Sequence, residues 1–162
     1  MKPRLTRLST MLVFGAAMFS AGAVLSQAGS GAREVFTPAA TTEAGVAKLT
    51  NGVVTLDAPS HPLIRFSTIQ RDRDGEVEVH TKANEHVYVV SGAFEYEVGG
   101  SVTGNRNTAP DEWRGGQISG ARRYSAKAGD MMYIPAGVPH HVSLAPGVKL
   151  VRYIVVKVNT PS

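Results

Sequence analysis

The 162-residue sequence contains no cysteine. Disulfide bonds, thiolate metal ligands and cysteine nucleophiles are therefore excluded, and any metal site must use nitrogen and oxygen ligands. The chain also lacks a basic stretch interleaved with aromatic residues, which is the pattern typical of nucleic-acid binding, and Arg122-Arg123 is interpreted as a solvated pair in a loop. We therefore expect no nucleic-acid partner.

The N-terminal apolar run, Met11 to Leu25, is shorter than the roughly 20 residues that span a bilayer. It follows the basic residues Lys2, Arg4 and Arg7 and precedes the small-residue pattern Ser26-Gln27-Ala28. These features predict a secretory signal peptide over residues 1–28 and a periplasmic or secreted protein, with an uncleaved membrane anchor as the alternative. Apart from this signal peptide, we expect no membrane partner. Its cleavage would lower the net charge from +4 to +1.

The rest of the chain is long enough for a single domain with a substantial core, since 43% of the sequence is apolar. Residues 29–60 are interpreted as a flexible N-terminal segment with a weak helical pattern over Thr42–Leu49 and a first short strand, and residues 61–162 as a barrel. Short apolar segments between glycine, proline and asparagine indicate an all-β barrel or sandwich. The predicted strands are Val53–Leu56, Leu63–Gln70, Val77–His80, Val87–Val90, Phe94–Val98, Met131–Ile134, His141–Leu144 and Leu150–Val158.

Segment 99–129 is a long connection rich in glycine, asparagine and arginine, and it contains the single tryptophan, Trp113. A connection of this length in a small domain is usually functional or disordered. Two interpretations stay open. The segment is a lid or wall of a ligand-binding mouth, or it is an extended hairpin that covers a sheet edge or a dimer contact.

A turn fixed by Pro135, Gly137 and Pro139 leads directly into His140. Because successive strand residues point to opposite faces, His140 should share the inward face with Val142 and Leu144, while His141 points away. The same alternation places Glu78 and His80 on one face, and it places Glu85 with Val87 and Val89 while turning His86 outward. His61, before Pro62, is interpreted as a turn residue.

These residues resemble the two signatures of the cupin superfamily. Gly129, Pro135, Gly137 and His140 match the second signature, and Leu144 replaces its asparagine. In the first signature, Glu85 and Gly92 match the glutamate and the glycine, His80 takes the second histidine position, and Glu78 replaces the first histidine. The resemblance covers roughly residues 61–158 and implies a cupin-type double-stranded β-helix, or jelly-roll barrel, that commonly forms homodimers.

The resemblance also implies a mononuclear metal site in which His80, Glu85 and His140 are the ligands. Two imidazoles and a carboxylate suit Fe, Mn, Ni or Zn. Glu78 would be a fourth ligand or the catalytic group that holds a substrate or moves a proton. The alternative is that Glu78 and His80 face solvent, or pair with Lys82 or an arginine.

Two functions follow from this interpretation. The first is an exported metal-dependent enzyme, of the oxygenase or isomerase type, that acts on a small organic molecule. The second is a non-catalytic cupin that binds or senses a small molecule without a functional metal, and the altered first signature favours it. Fold alone does not decide between them.

Overall fold

The computed structural model describes residues 36–48, 52–57 and 63–160. The predicted signal peptide and His61 lie outside the described residues. Within them, no helix has both the length and the apolar character needed to cross a membrane. The described elements are one helix, α1 (Ala39–Val46), and the strands β1 (Val53–Asp57), β2 (Ile64–Arg71), β3 (Glu78–His80), β4 (Ala83–Ser91), β5 (Ala93–Val98), β6 (Ser101–Thr103), β7 (Arg106–Ala109), β8 (Glu112–Arg114), β9 (Gln117–Ser119), β10 (Arg122–Lys127), β11 (Met131–Ile134), β12 (His140–Leu144) and β13 (Val151–Asn159).

Most of the strands form two antiparallel sheets, which confirms the predicted all-β class. One sheet has the order β1-β2-β13-β4-β11, and the other has the order β10-β5-β12-β3-β8-β7. Strands β6 and β9 form a separate two-stranded ribbon. Buried side chains from the two larger sheets meet in one apolar cluster, in which the rings of Phe94 and Tyr153 lie 5.4 Å apart. The site described below lies next to this cluster.

Each of the eight predicted strands is present, with ends that differ by at most four residues. The largest difference is in β4, which begins at Ala83 and not at Val87. Pairing with β13 explains the extension, because Asn159 lies opposite Ala83 and prolongs the ladder. The weak helix is also displaced, since α1 ends at Val46 and not at Leu49.

Segment 99–129 contains five short strands, β6 to β10. The pairs β6 with β9 and β7 with β8 are nested, so this part of the segment is an extended hairpin, as one of its two interpretations predicted. Tight turns separate these strands, and two of the turns require glycine. A Cβ atom at Gly100 would lie 2.1 Å from the Ser119 carbonyl oxygen, and one at Gly116 would lie 2.3 Å from the Thr103 carbonyl oxygen. Both glycines also have positive φ, which other residues rarely adopt. Strands of three residues are too short to show a periodic apolar pattern in the sequence.

Candidate metal centre

Four side chains singled out from the sequence converge inside the barrel: Glu78, His80, Glu85 and His140. One potential ligand atom from each lies within 4.8 Å of the others. His80, Glu85 and His140 are each at most 4% exposed, and Glu78 is partly buried. Such a group of buried polar side chains must be hydrogen-bonded, paired or coordinated.

The register of the strands accounts for this convergence. His140, the first residue of β12, lies opposite Glu78 of β3. The turn that precedes His140 is tied to the same strand, because the Gly137 N–H donates to the His80 carbonyl oxygen at 2.8 Å. Along β4, Glu85 is buried with Val87 and Val89 while the intervening residues are exposed. The predicted faces of these strands are therefore confirmed.

His140 has one ring nitrogen in a hydrogen bond and one without. Its Nδ1 lies 3.1 Å from the Val138 carbonyl oxygen, which can only accept, so Nδ1 carries the proton in the neutral ring. Its buried Nε2 has no hydrogen-bond partner among the described residues and faces Glu85 Oε2 at 3.3 Å. The Tyr96 ring stacks on the imidazole with centroids 6.0 Å apart. The lone pair of His140 Nε2 is therefore directed at the shared centre and available to a cation.

His80 is surrounded by carboxylates. Its Nδ1 lies 2.7 Å from Glu112 Oε2, and its Nε2 lies 3.0 Å from Glu85 Oε1 and 3.2 Å from Glu78 Oε2. Burial alone would lower the pKa of His80, but hydrogen bonds with Glu112, Glu78 and Glu85 outweigh it and raise the pKa to about 10. A carboxylate on Nδ1 also fixes the orientation of the ring, as is usual for histidines that bind metals.

Lys157 of β13 brings an ammonium group to the same centre. Its Nζ lies 2.9 Å from Glu85 Oε1 and 2.9 Å from His80 Nε2. An ammonium can only donate a hydrogen bond, so Lys157 can bond to Nε2 only when His80 is neutral and Nε2 has a lone pair. A protonated His80 has no lone pair and cannot accept this hydrogen bond. A metal ion bound to Glu85 and His80 would need the same two atoms. Lys157 and a metal ion would therefore compete for this position.

Arg114 of β8 balances the remaining carboxylates. Its guanidinium group donates to Glu78 Oε1 at 2.5 Å and also to Glu112 Oε1. Burial would raise the pKa of Glu78, but His80 and Arg114 lower it to about 2, and His80 and Lys157 likewise lower the pKa of Glu112 to about 2. The pKa of Glu85 is also lowered, against the effect of burial, by hydrogen bonding with His80 and by the charge of Lys157. Pairing of Glu78 with an arginine, one of the alternatives from the sequence, is therefore present.

The donor set fits a divalent transition metal. His80, Glu85 and His140 offer two imidazole nitrogens and a carboxylate, a combination that suits Fe, Mn, Ni and Zn. The strongest observation is His140 Nε2, a buried acceptor without a donor. Lys157 is the one neighbour that would have to withdraw from Glu85 and His80.

Two histidines predicted to point away from this centre do so. His141 Nδ1 lies 3.1 Å from Glu97 Oε2, and its Nε2 lies 3.1 Å from the Gly75 carbonyl oxygen. His86 is exposed and its ring lies 4.9 Å from that of Tyr133. Neither belongs to the group of four.

Sequence reasoning missed three charged residues of the site: Glu112, Arg114 and Lys157. Glu112 and Arg114 lie in segment 99–129, whose strands gave no periodic signal. They reach the site because β8 pairs with β3, with Glu112 opposite His80 and Arg114 opposite Glu78. For Lys157 the sequence did contain a signal. Strand alternation places it on the same face as the apolar residues Tyr153 and Val155, and so predicts that it points inward.

A cavity of about 460 Å³ lies beside the four residues. Its walls include Thr108, Ala109 and Pro110, so the part of segment 99–129 around β7 and β8 is a wall of the cavity. Strand β8 of the same hairpin pairs with β3 and so covers an edge of that strand. The two interpretations of this segment therefore hold together for the hairpin of β6 to β9. Trp113 does not line the cavity and is 37% exposed.

Comparisons with known proteins support the fold. No protein-family model matches the sequence, and no curated protein matches it either. The structure is similar to FeII HppE, with a TM-score of 0.51 and 15% identity over 65% of this chain and 50% of that chain. It is similar to Bacillus subtilis oxalate decarboxylase, whose Mn(II) centres have been studied, with a TM-score of 0.51 and 18% identity over 71% of this chain and 28% of that chain. A protein from Neisseria meningitidis gives a TM-score of 0.51 with 10% identity, covering 78% of this chain and 100% of its own.

The match thus spans about half of HppE and a smaller share of the decarboxylase. At identities this low, the structural similarity establishes the architecture but leaves the activity open. Together with the two motifs, it identifies the architecture of this chain as that of the cupin superfamily.

Proposed function

We propose that this protein is a metal-dependent enzyme that acts on a small organic molecule, with one divalent transition metal held by His80, Glu85 and His140. The observation that carries this proposal is the buried, unpartnered Nε2 of His140, which converges with His80 and Glu85 on one centre. The adjoining cavity of about 460 Å³ is of a size suited to a small organic molecule. The metal is Fe, Mn, Ni or Zn, and its chemistry would be to bind dioxygen or to polarise a substrate oxygen.

Glu78 is the proposed catalytic residue. Its carboxylate lines the cavity, and Arg114 and His80 hold it in place. A carboxylate in this position can accept a hydrogen bond from a substrate hydroxyl and so hold the substrate in place. Tyr96, which is buried in the apolar cluster, stacks on the His140 ring and so joins the centre to the core.

One observation favours a second candidate, a small-molecule-binding cupin without a functional metal. The Lys157 ammonium lies 2.9 Å from both Glu85 Oε1 and His80 Nε2, so it supplies a positive charge to the centre without any metal. In that case the charged cluster would be structural and the cavity would bind its ligand without chemistry.

Elemental analysis of the protein, purified without a metal-affinity tag, separates the two candidates. We expect about one transition metal per chain in the parent and little in Glu85→Ala and His140→Ala. His141→Ala is the matched control, because it removes the neighbouring histidine from the opposite face and should keep the metal. A metal-free, stable parent that gains no stability on addition of Fe, Mn, Ni or Zn would support the binding cupin.

A second measurement tests Glu78. If Glu78 is catalytic, Glu78→Gln should keep the metal, and small-molecule turnover or oxygen consumption by the metal-loaded protein should fall at least about 100-fold. Loss of the metal in Glu78→Gln would make Glu78 a fourth ligand instead.

Export through the signal peptide and a homodimeric state are also part of this proposal. They rest on the N-terminal sequence pattern and on the resemblance to small cupins. Sedimentation at several protein concentrations and N-terminal sequencing of the protein recovered from the producing cells would test them.

A further inference from the structure

Arg71 is a buried arginine at the end of β2. Only 6% of its surface is exposed, and it contributes to the wall of the cavity beside the metal centre. Its Nε donates to the Tyr153 hydroxyl at 3.0 Å, and its guanidinium carbon lies 5.8 Å from the centre of the Tyr153 ring. Among the described residues, the Arg71 side chain makes these two contacts with Tyr153, and no carboxylate lies within ion-pair distance of it.

Less buried arginines of this protein do have carboxylate partners. Arg114, with 33% of its side chain exposed, pairs with Glu78 and Glu112. Arg152, with 21% exposed, pairs with Glu43 through a contact of 2.6 Å. Buried charges are normally paired because removal from water is costly. Arg71 departs from this pattern although it is the most buried of the three.

The carboxylates around the cavity are each engaged elsewhere. Their partners are other side chains: Ser67 for Asp57, Arg106 for Glu76, Arg114 for Glu78 and Glu112, and Lys157 for Glu85. Within the described part of the chain, the guanidinium of Arg71 therefore has free donors and no anion in the cavity wall to receive them. A guanidinium presents five N–H donors in a planar fork, and one of them is used by Tyr153.

Gly75 leaves the space that the guanidinium occupies. A Cβ atom at this position would lie 2.5 Å from Arg71 Nη1 and 3.1 Å from Val142 Cγ1. A side chain at position 75 would therefore push the guanidinium aside. The position of Arg71 depends on both Gly75 and Tyr153.

We propose that Arg71 binds a carboxylate group of the small molecule that enters the cavity, so that the substrate is an organic acid. The planar fork matches a carboxylate, which accepts two parallel hydrogen bonds. Several acidic side chains line the same cavity, among them Glu76 and Glu78, and they favour a singly charged group over a phosphate. This inference rests on the proposed function, because it assigns the class of molecule that the same cavity binds.

Isothermal titration of the metal-loaded protein with small acids tests the inference. The probes are acetate, malonate and succinate, each compared with its uncharged amide and with inorganic phosphate. We expect at least one acid to bind, its amide to bind at least about tenfold more weakly, and Arg71→Gln to weaken acid binding about 10- to 100-fold. Arg122→Gln is the matched control, since Arg122 also donates to a tyrosine hydroxyl but is exposed and outside the cavity. It should bind the acid as the parent does.

Gly75→Ala covers the case in which Arg71→Gln does not fold. This variant keeps the charge of Arg71 but displaces its guanidinium, so acid binding should fall several-fold while the metal content stays that of the parent. The inference is overturned if no acid binds the parent, if amide or phosphate binds as tightly as the acid, or if a folded Arg71→Gln or Gly75→Ala binds acid unchanged. Metal content measured on the same samples separates the outcomes. If the parent contains metal but binds no acid, only this inference is refuted. If the parent contains no metal but binds acids through Arg71, only the metal-dependent function is refuted.

Discussion

The two ends of the barrel interior are formed by the same strands and differ in what fills them. On β13 and β4, Tyr153 lies opposite Val89 and Val155 opposite Val87, and the next inward pair is Lys157 opposite Glu85. One row of inward positions thus changes from apolar to charged within two residues of each strand. The apolar end is held by packing, and the charged end is held by ion pairs.

This difference is the reason why we propose the charged end as the functional end. Apolar side chains gain stability on burial without any partner. Glu85 and His80 lose their hydrogen bonds with water on burial. Neighbours such as Lys157 and Glu112 replace those hydrogen bonds and balance the charges. Buried charged groups contribute little net stability in such arrangements, so their presence is better explained by a bound cation or ligand than by the demands of folding.

The largest expected loss of stability comes from the apolar end. Phe94 is 1% exposed and its ring lies between those of Tyr96 and Tyr153. Phe94→Ala should lower the free energy of unfolding by about 3–5 kcal/mol, because it leaves a cavity in the core. Urea unfolding measures the loss. The metal content of the folded variant should equal that of the parent, and loss of the metal would show that the two ends are not independent.

A substitution of Lys157 should act in opposite directions with and without metal. Lys157→Met leaves the Glu85 carboxylate buried without its ammonium, so the metal-free protein should lose about 3 kcal/mol of stability. It also frees Glu85 Oε1 and His80 Nε2, so metal affinity should rise at least about tenfold. Calorimetric titration with the metal ion and urea unfolding of the metal-free form measure the two effects.

Lys82→Met is the control for that experiment, because Lys82 lies near the same strands but is exposed, and its contact with Asp111 spans 3.7 Å. It should change neither quantity appreciably. Weaker metal binding by Lys157→Met would contradict the competition and would show that the ammonium supports the metal centre.

The apolar end should respond to alkaline pH through Tyr153. Burial raises the pKa of Tyr153 from 10.0 to about 12, although Arg71 opposes the shift, and Glu78 and Glu85 add to it. The folded state therefore favours the neutral phenol. The raised pKa of Tyr153 contributes about 3 kcal/mol to the free energy of unfolding. This contribution is complete below pH 10 and is lost as the pH rises from 10 through 12.

Absorbance at about 295 nm follows this titration, and Tyr153→Phe should remove the step near pH 12. The variant should also flatten the fall of stability above pH 10. An unchanged alkaline profile in Tyr153→Phe would assign the step to another group.

The smallest effect is expected on the outer face of the same sheet. Met131 of β11 is 78% exposed and lies opposite Tyr88 of β4. Met131→Ser should change the free energy of unfolding by less than about 0.5 kcal/mol, as measured by urea unfolding. A loss of more than 1 kcal/mol that grows on dilution would show that a second copy of the chain covers this face.

Much of the fold and part of the site could be predicted because their signals are local. Strand alternation placed Glu85 inside and His86 outside, and the prolines and glycine before His140 marked its turn. The cupin-type architecture followed from the same motifs. The strands of segment 99–129 could not be predicted, because three-residue strands between glycines carry no period.

The sequence by itself determined which residues point inward and where the tight turns lie, since both depend on neighbours along the chain. Only the tertiary structure decided what those residues meet. Glu112 reaches His80 across β8 and β3, and Lys157 reaches Glu85 across β13 and β4. The members of each pair lie 32 and 72 positions apart in the sequence, and the pairing of distant strands depends on register and packing across the whole barrel. That pairing is what turned four motif residues into a charge-balanced centre beside a cavity.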